Sequence, residues 1–235
     1  MRAPALRAHA TAPDMATPLR LRDNLHWCES GRRAVFLDLE AGRYFCLPAG
    51  ANDAFLRLAR DEMQTEDPGR LRALIDRGFL IHDPQASRIR APCLVDQPTG
   101  DIGIEQVPRL NLFHIGRALA AEARAAWLLR TRPLPDIIRI AGRRRRPMPV
   151  NQDRRLREIA AAANAVALVT RAHDRCLPRA LAVHMTCKKQ GIGTRLVFGI
   201  IAHPFAAHCW VQLQSAVVVG GFQQARLYTP IFAVE

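Results

Sequence analysis

The stretch CLPRALAVHMTCKKQGIGTRLVFGIIAHPFAAHCWVQL, residues 176–213, changes its period halfway. Up to Lys189 the residues step at helical spacing, with Leu177, Leu181, His184 and Lys188 on one face, and Gly191 and Gly193 then end the helix. Beyond them Val and Ile dominate. TRLVFGIIA (194–202) reads as a strand, HPF (203–205) as a turn and AAHCWVQL (206–213) as a second strand, with AVVV (216–219) as a third. A helix over about 152–170 precedes. This order predicts an α+β unit over residues 151–235, with a central helix laid on an antiparallel sheet.

The helix opens on a cysteine. At its first turn Cys176 meets unpaired backbone N–H groups and the positive end of the helix dipole, and Arg175 and Arg179 add positive charge. These effects favour the thiolate over a thiol that, when free, titrates near pH ~8.5. The same N–H groups suit an oxyanion formed on an attacked carbonyl. Such a nucleophile wants an imidazole for its proton, and His208 supplies one if its strand lies beside the helix start. A zinc site built from His173, Cys176, Cys187, His208 and Cys209 matches no finger or ribbon spacing.

With 235 residues, 49% of them hydrophobic, the chain can bury a real core. Its formal net charge of +13 is uneven: residues 143–235 hold 14 basic and 4 acidic side chains. That balance permits nucleic acid, an anionic membrane surface or an acidic partner, and selects none of them. The six cysteines form no C-x-x-C pair, the N-terminus lacks the apolar core of a signal peptide, and no apolar run approaches the ~20 residues that span a bilayer. The reading is a reducing, cytoplasmic compartment with free thiols. Residues 1–14 read as a disordered tail, with Met15 as an alternative start, and RRRR (143–146) as a solvated connector.

Between about 23 and 47 three short strand-like runs, NLHWCE, AVFLDL and RYFCL, are separated by SGRR and EAGR, each with a glycine suited to a hairpin. Helical spacing follows, with Phe55, Leu58 and Ala59 on one face, then Leu71, Leu74 and Ile75 on another, ended by Gly78. So small a unit suits binding better than catalysis. Residues 84–105 read as a linker, and helices are expected over about 107–130 and at PDIIRIAG.

The 176–213 stretch resembles the cysteine-protease core of the lasso-peptide maturation B proteins, a transglutaminase-like, papain-like fold. The resemblance rests on a Cys-Leu-x-Arg-Ala-Leu helix start, a Gly-Ile turn into Arg-Leu-Val, and Pro-Phe-x-x-His-x-Trp-Val. FLDLEAGRYFCLPAGANDAFLRL is similar to the leader-recognition domain related to the pyrroloquinoline quinone chaperone, a winged helix-turn-helix module. The resemblance implies a recognition domain at 15–85, a linker with connecting helices at 86–150 and a protease domain at 151–235. It implies that Cys176 attacks and His208 serves as acid and base, without metal or organic cofactor. The precursor's leader would pair beside Tyr44, Phe45, Cys46 and Leu47 and fit apolar side chains against Leu71, Leu74 and Ile75. An asparagine-synthetase-like lactam cyclase would be the partner, with no nucleic acid.

One position departs from that pattern. Where the family has the Asp that orients its histidine, this chain has Gly220, and residues 209–234 hold neither Asp nor Glu. The orienting group is then a backbone carbonyl, an amide such as Gln223 or an acid from elsewhere, and Gly220→Asp is expected to fold and to speed cleavage. Two rival readings are a winged-helix DNA-binding regulator and a catalytically impaired scaffold that presents the precursor.

Overall fold

The computed structural model describes residues 18–62, 68–86, 89, 91–103, 112–142, 152–170 and 175–235. The expected tail, Met15, the 143–146 arginines and His173 fall outside them. In chain order the elements are β1 (Leu19–Leu21), β2 (Leu25–Ser30), β3 (Arg33–Asp38), β4 (Arg43–Cys46), α1 (Ala49–Ala59), α2 (Pro68–Asp76), β5 (Leu80–His82) and β6 (Gly100–Asp101). Then follow α3 (Leu112–Thr131), α4 (Leu134–Ala141), α5 (Gln152–Thr170), α6 (Cys176–Lys189), β7 (Arg195–Ile201), β8 (Ala206–Leu213), β9 (Ala216–Val219), α7 (Phe222–Ala225) and β10 (Thr229–Val234).

The chain divides into two compact units. The first takes the described residues up to Asp23 together with Ala49–Ala91. In it β1 and β5 pair antiparallel with Leu21 opposite Leu80, and Arg20 Nε donates to Asp83 Oδ2 at 2.7 Å. Helix α1 buries Ala54, Phe55 and Leu56, and α2 buries Leu71 and Leu74. Gly78, at φ +66°, closes α2: its N–H donates to the carbonyl of Ile75 and that of Phe79 to Leu74, both at 2.8 Å.

The second unit takes Asn24–Pro48 and Pro92–Glu235. Residues 24–48 form the antiparallel sheet β2-β3-β4, as the three runs and two turns predict. Their core side chains Cys28, Val35, Leu37 and Leu39 join the same cluster as α6 and the large sheet, so the expected 15–85 module is distributed over both units. The large sheet runs β10-β7-β8-β9-β6, antiparallel except where β6 meets β9. Strand alternation explains its two faces. Leu196, Phe198, Ile200, Cys209 and Val211 meet Ala180, Leu181, Val183 and Cys187 of α6, while Val197, Trp210 and Val217 point the other way with Ala225.

Candidate functional site

Helix α6 starts where a thiol can use its end. Pro178, third in the helix, has no N–H to leave unpaired, and Arg179 is the first residue to close a helical bond, to the Arg175 carbonyl at 3.2 Å. The N–H groups of Cys176 and Leu177 make no hydrogen bond among the described residues. Cys176 is half-buried and lines a cavity of about 510 Å³ together with Asn164, His208, Gly220, Gln224 and Tyr228. The arginines are a correction to the sequence reading. Arg175 and Arg179 stand 3.7 and 3.4 Å from the carboxylate of Glu122, which is 3% exposed on α3, and Arg179 also donates to Thr170. Much of their charge is answered by Glu122 rather than directed at the thiol, and nothing local in the sequence links residue 122 to residue 176.

His208 is held by the main chain. Its Nε2 lies 2.9 Å from the carbonyl oxygen of Gly220. A carbonyl can only accept, so Nε2 carries the proton and Nδ1 is left as the basic nitrogen. The ring stacks at 6.0 Å on Trp210 and lies 5.2 Å from Tyr228. Desolvation lowers the His208 pKa, with the Gly220 bond working in the opposite direction. The imidazole is therefore neutral near neutral pH. No hydrogen bond joins Cys176 to His208 among the described residues. The reason lies in the alternation of β8, on which His208 shares a face with Trp210 while Cys209 faces the α6 core. Thiol and imidazole share one cavity without closing a pair.

Gly220 leaves no gap for an acid. It sits at φ +110°, and a Cβ built on it would stand 2.5 Å from Trp210 Cβ and 3.3 Å from His208 Nε2. The expectation that Gly220→Asp folds and speeds the reaction is therefore corrected: the carbonyl already takes the ring N–H, and there is no room for the side chain. Gln223, the amide candidate, is exposed on α7 and does not line the cavity. Asp101, at the end of β6, accepts the Phe222 N–H at 2.9 Å, two residues beyond the carbonyl that holds His208. Behind the ring, Trp210 Nε1 donates to Gln212 at 2.7 Å, and Gln212 Nε2 donates to the carbonyls of Asp96 and Gln214. Trp210 also runs over Gly199, where a Cβ would meet the indole at 2.6 Å.

The residues expected to contact a leader fall in different settings. Tyr44 packs against the α6 core and lies 5.6 Å from Phe205; burial raises its pKa, helped by the thiols of Cys209 and Cys176. Phe45 stacks on Phe36 at 5.1 Å, Cys46 is exposed and Leu47 half-buried. Leu71 and Leu74 are buried, leaving Ile75 as the partly open member of its trio. Burial pushes the thiols of Cys28 and Cys187 up to about 12 and that of Cys209 well above its ordinary value. Those three sulfurs are inert packing groups.

Among the described residues no cluster of three or more His, Cys, Asp or Glu could hold a metal ion, and no helix is long and apolar enough to cross a membrane. No curated protein and no solved structure matches this chain. A match does come from a family model. It covers residues 119–233, from the middle of α3 to the last strand, and its description is the transglutaminase-like superfamily, a group that includes cysteine peptidases and transglutaminases. The mixed α+β C-terminal half, with a cysteine opening its central helix and a histidine on the second strand beyond it, carries a transglutaminase-like superfamily domain.

Proposed function

We propose that this chain is a cysteine peptidase that removes the leader from a ribosomally made, lasso-type precursor, so that a lactam-forming cyclase can close the freed core. The observation that carries the reading is the shared cavity. It brings together a thiol at a helix start, where the N–H groups of Cys176 and Leu177 make no hydrogen bond among the described residues, and a neutral imidazole whose Nε2 is already committed to Gly220.

The chemistry follows from those groups. Substrate binding closes the thiol–imidazole gap, as catalytic hydrogen bonds often tighten only in the complex. His208 Nδ1 takes the Cys176 proton while Sγ bonds to the scissile carbonyl carbon, and the N–H groups of Cys176 and Leu177 receive the oxyanion. The intermediate collapses, the C–N bond breaks, and the imidazolium returns its proton to the leaving amine. A thioester remains on Cys176. His208 then deprotonates a water, which attacks the thioester and frees the leader carboxylate and the thiol. The Gly220 carbonyl stands in for a carboxylate, fixing the tautomer without the full charge that would stabilise the imidazolium.

Leader capture is assigned to β4. It is an edge strand of β2-β3-β4, so its outer main-chain groups can take an added strand. The catalytically impaired scaffold is the second reading, favoured by the unclosed pair and the absent carboxylate. One experiment separates them. The purified chain is incubated with a lasso-type precursor peptide, and products are read by mass spectrometry. The peptidase reading expects leader release that Cys176→Ala and His208→Ala abolish, with leader binding unchanged in both. Binding without release in the parent favours the scaffold, and release persisting in Cys176→Ala overturns the nucleophile.

A further inference from the structure

A second cavity, of about 640 Å³, opens between α3, α5 and α6. Alanines of all three helices, among them Ala121, Ala163 and Ala182, make its floor small and apolar. Its walls are basic. Arg117 and Arg124 come from α3, Arg155 from α5, and Arg179 and Lys189 from α6. Two carboxylates face the same space, and both are already engaged: Glu158 lies 3.0 Å from Arg154, and Glu122 pairs with Arg175 and Arg179. Arg124 and Arg155 form no ion pair or hydrogen bond among the described residues. A concave, low-dielectric wall with surplus cations focuses potential and draws anions to it.

Arg179 lines this cavity and the Cys176 cavity alike, so the two meet at one guanidinium. We propose that the basic cavity is a subsite for acidic residues of the peptide substrate, seating a carboxylate-bearing segment between α3, α5 and α6 beside the bond presented to Cys176. The cavity's place in catalysis rests on the peptidase reading; its binding of acidic peptide does not.

Three features select a peptide carboxylate over a phosphate. The wall already holds one carboxylate, Glu122, with two arginines. The alanine floor gives the apolar contact that peptide side-chain stems use. And most of the lining residues lie in helices beyond the first turn, where main-chain N–H groups are spent on the helical ladder, while that of Gln190, just past α6, is bonded to the Thr186 and Cys187 carbonyls. Phosphate sites characteristically draw on free main-chain N–H groups.

The test uses the full chain carrying Cys176→Ala, so that bound peptide is not consumed. A fluorescein-labelled Glu-Ala repeat peptide is titrated by anisotropy, with a Lys-Ala repeat beside it. The acidic peptide is expected to bind and to weaken as salt rises, while the basic one does not bind. Arg124→Glu combined with Arg155→Glu should weaken binding about ten-fold or more, and the Gln pair should weaken it less. The same reversal at Arg72 and Arg77, both exposed in the other unit, should leave it unchanged. Equal loss from either pair would reduce the effect to net charge and overturn the subsite, as would no binding at all. Tripolyphosphate binding more tightly than the peptide, through the same two arginines, would make this a phosphate site and overturn the proposal too. Binding as expected in a protein whose parent cleaves nothing keeps the subsite and removes the peptidase.

Discussion

At the residue scale, His208 owes its tautomer to a carbonyl, and the carbonyl owes its position to a turn. Gly220 and Gly221 both have positive φ, and the turn they make is tied down at Phe222 by Asp101. Asp101 reaches this turn from 121 residues away in sequence, so any hold it has on the imidazole runs through the main chain. Asp101→Ala should loosen the turn, and nitrogen NMR of His208 should then show a mixed tautomer and a changed pKa. Asp101→Asn keeps an oxygen acceptor for the Phe222 N–H and should restore the parent spectrum. An unaltered His208 signal in the alanine variant would leave Asp101 with no hold on the ring. No local pattern around GDIG announces this role, because it depends on β6 pairing in parallel with β9.

At the element scale, α6 packs both its ends and its middle against something. In its middle sits His184, fully buried and sharing a 3.0 Å hydrogen bond with Thr194. Desolvation, with Lys188 adding to it, pushes its pKa down to about 4. The unfolded chain, titrating at the ordinary 6.5, takes up the proton first. The stability from a neutral His184 is therefore complete above that pH and is lost as pH falls towards about 4, amounting to roughly 3 kcal/mol. Urea unfolding at about pH 7 and about pH 4.5 should show the loss, and His184→Gln should flatten it. An equal pH slope in parent and variant would assign the loss to carboxylates instead. Helices α5 and α6 and strands β7, β8 and β9 were legible in the sequence because each carries its own period or a Val-rich run. The last strand, β10, was not: TPIFAV carries a proline and is a strand by virtue of its pairing with β7. Two-residue β6 and four-residue α7 are too short for any period to mark.

At the scale of the whole molecule, the sequence suggested a module at 15–85 and a protease at its other end, while packing draws the boundary elsewhere. Cys28, Val35, Leu37 and Leu39 belong to the core built by α6 and the large sheet. Hairpin signals reveal that such strands pair, but not which core receives their buried face. Residues 15–85 made alone would expose those four side chains, each costing about 2 kcal/mol, out of a total domain stability of order 10 kcal/mol. The fragment should show poor amide dispersion and no cooperative melt by circular dichroism. A sharp melt would mean that residues 24–48 fold without the C-terminal core. The candidate pair itself was legible, since a thiol at a helix start and an imidazole on a following strand are local facts. The cation-rich cavity was not, because its arginines come from three helices spread over some 60 residues.

The chain crosses between its two units three times, near residues 23, 48 and 91. Splitting the reading frame at any single one of these points cannot deliver two whole units. A break near 91 leaves β2, β3 and β4 on the wrong polypeptide, a break near 48 divides both units, and a break near 23 divides the first. A gene fission that separated the two units cleanly would need the 24–48 segment moved first, so that strands and core were encoded together.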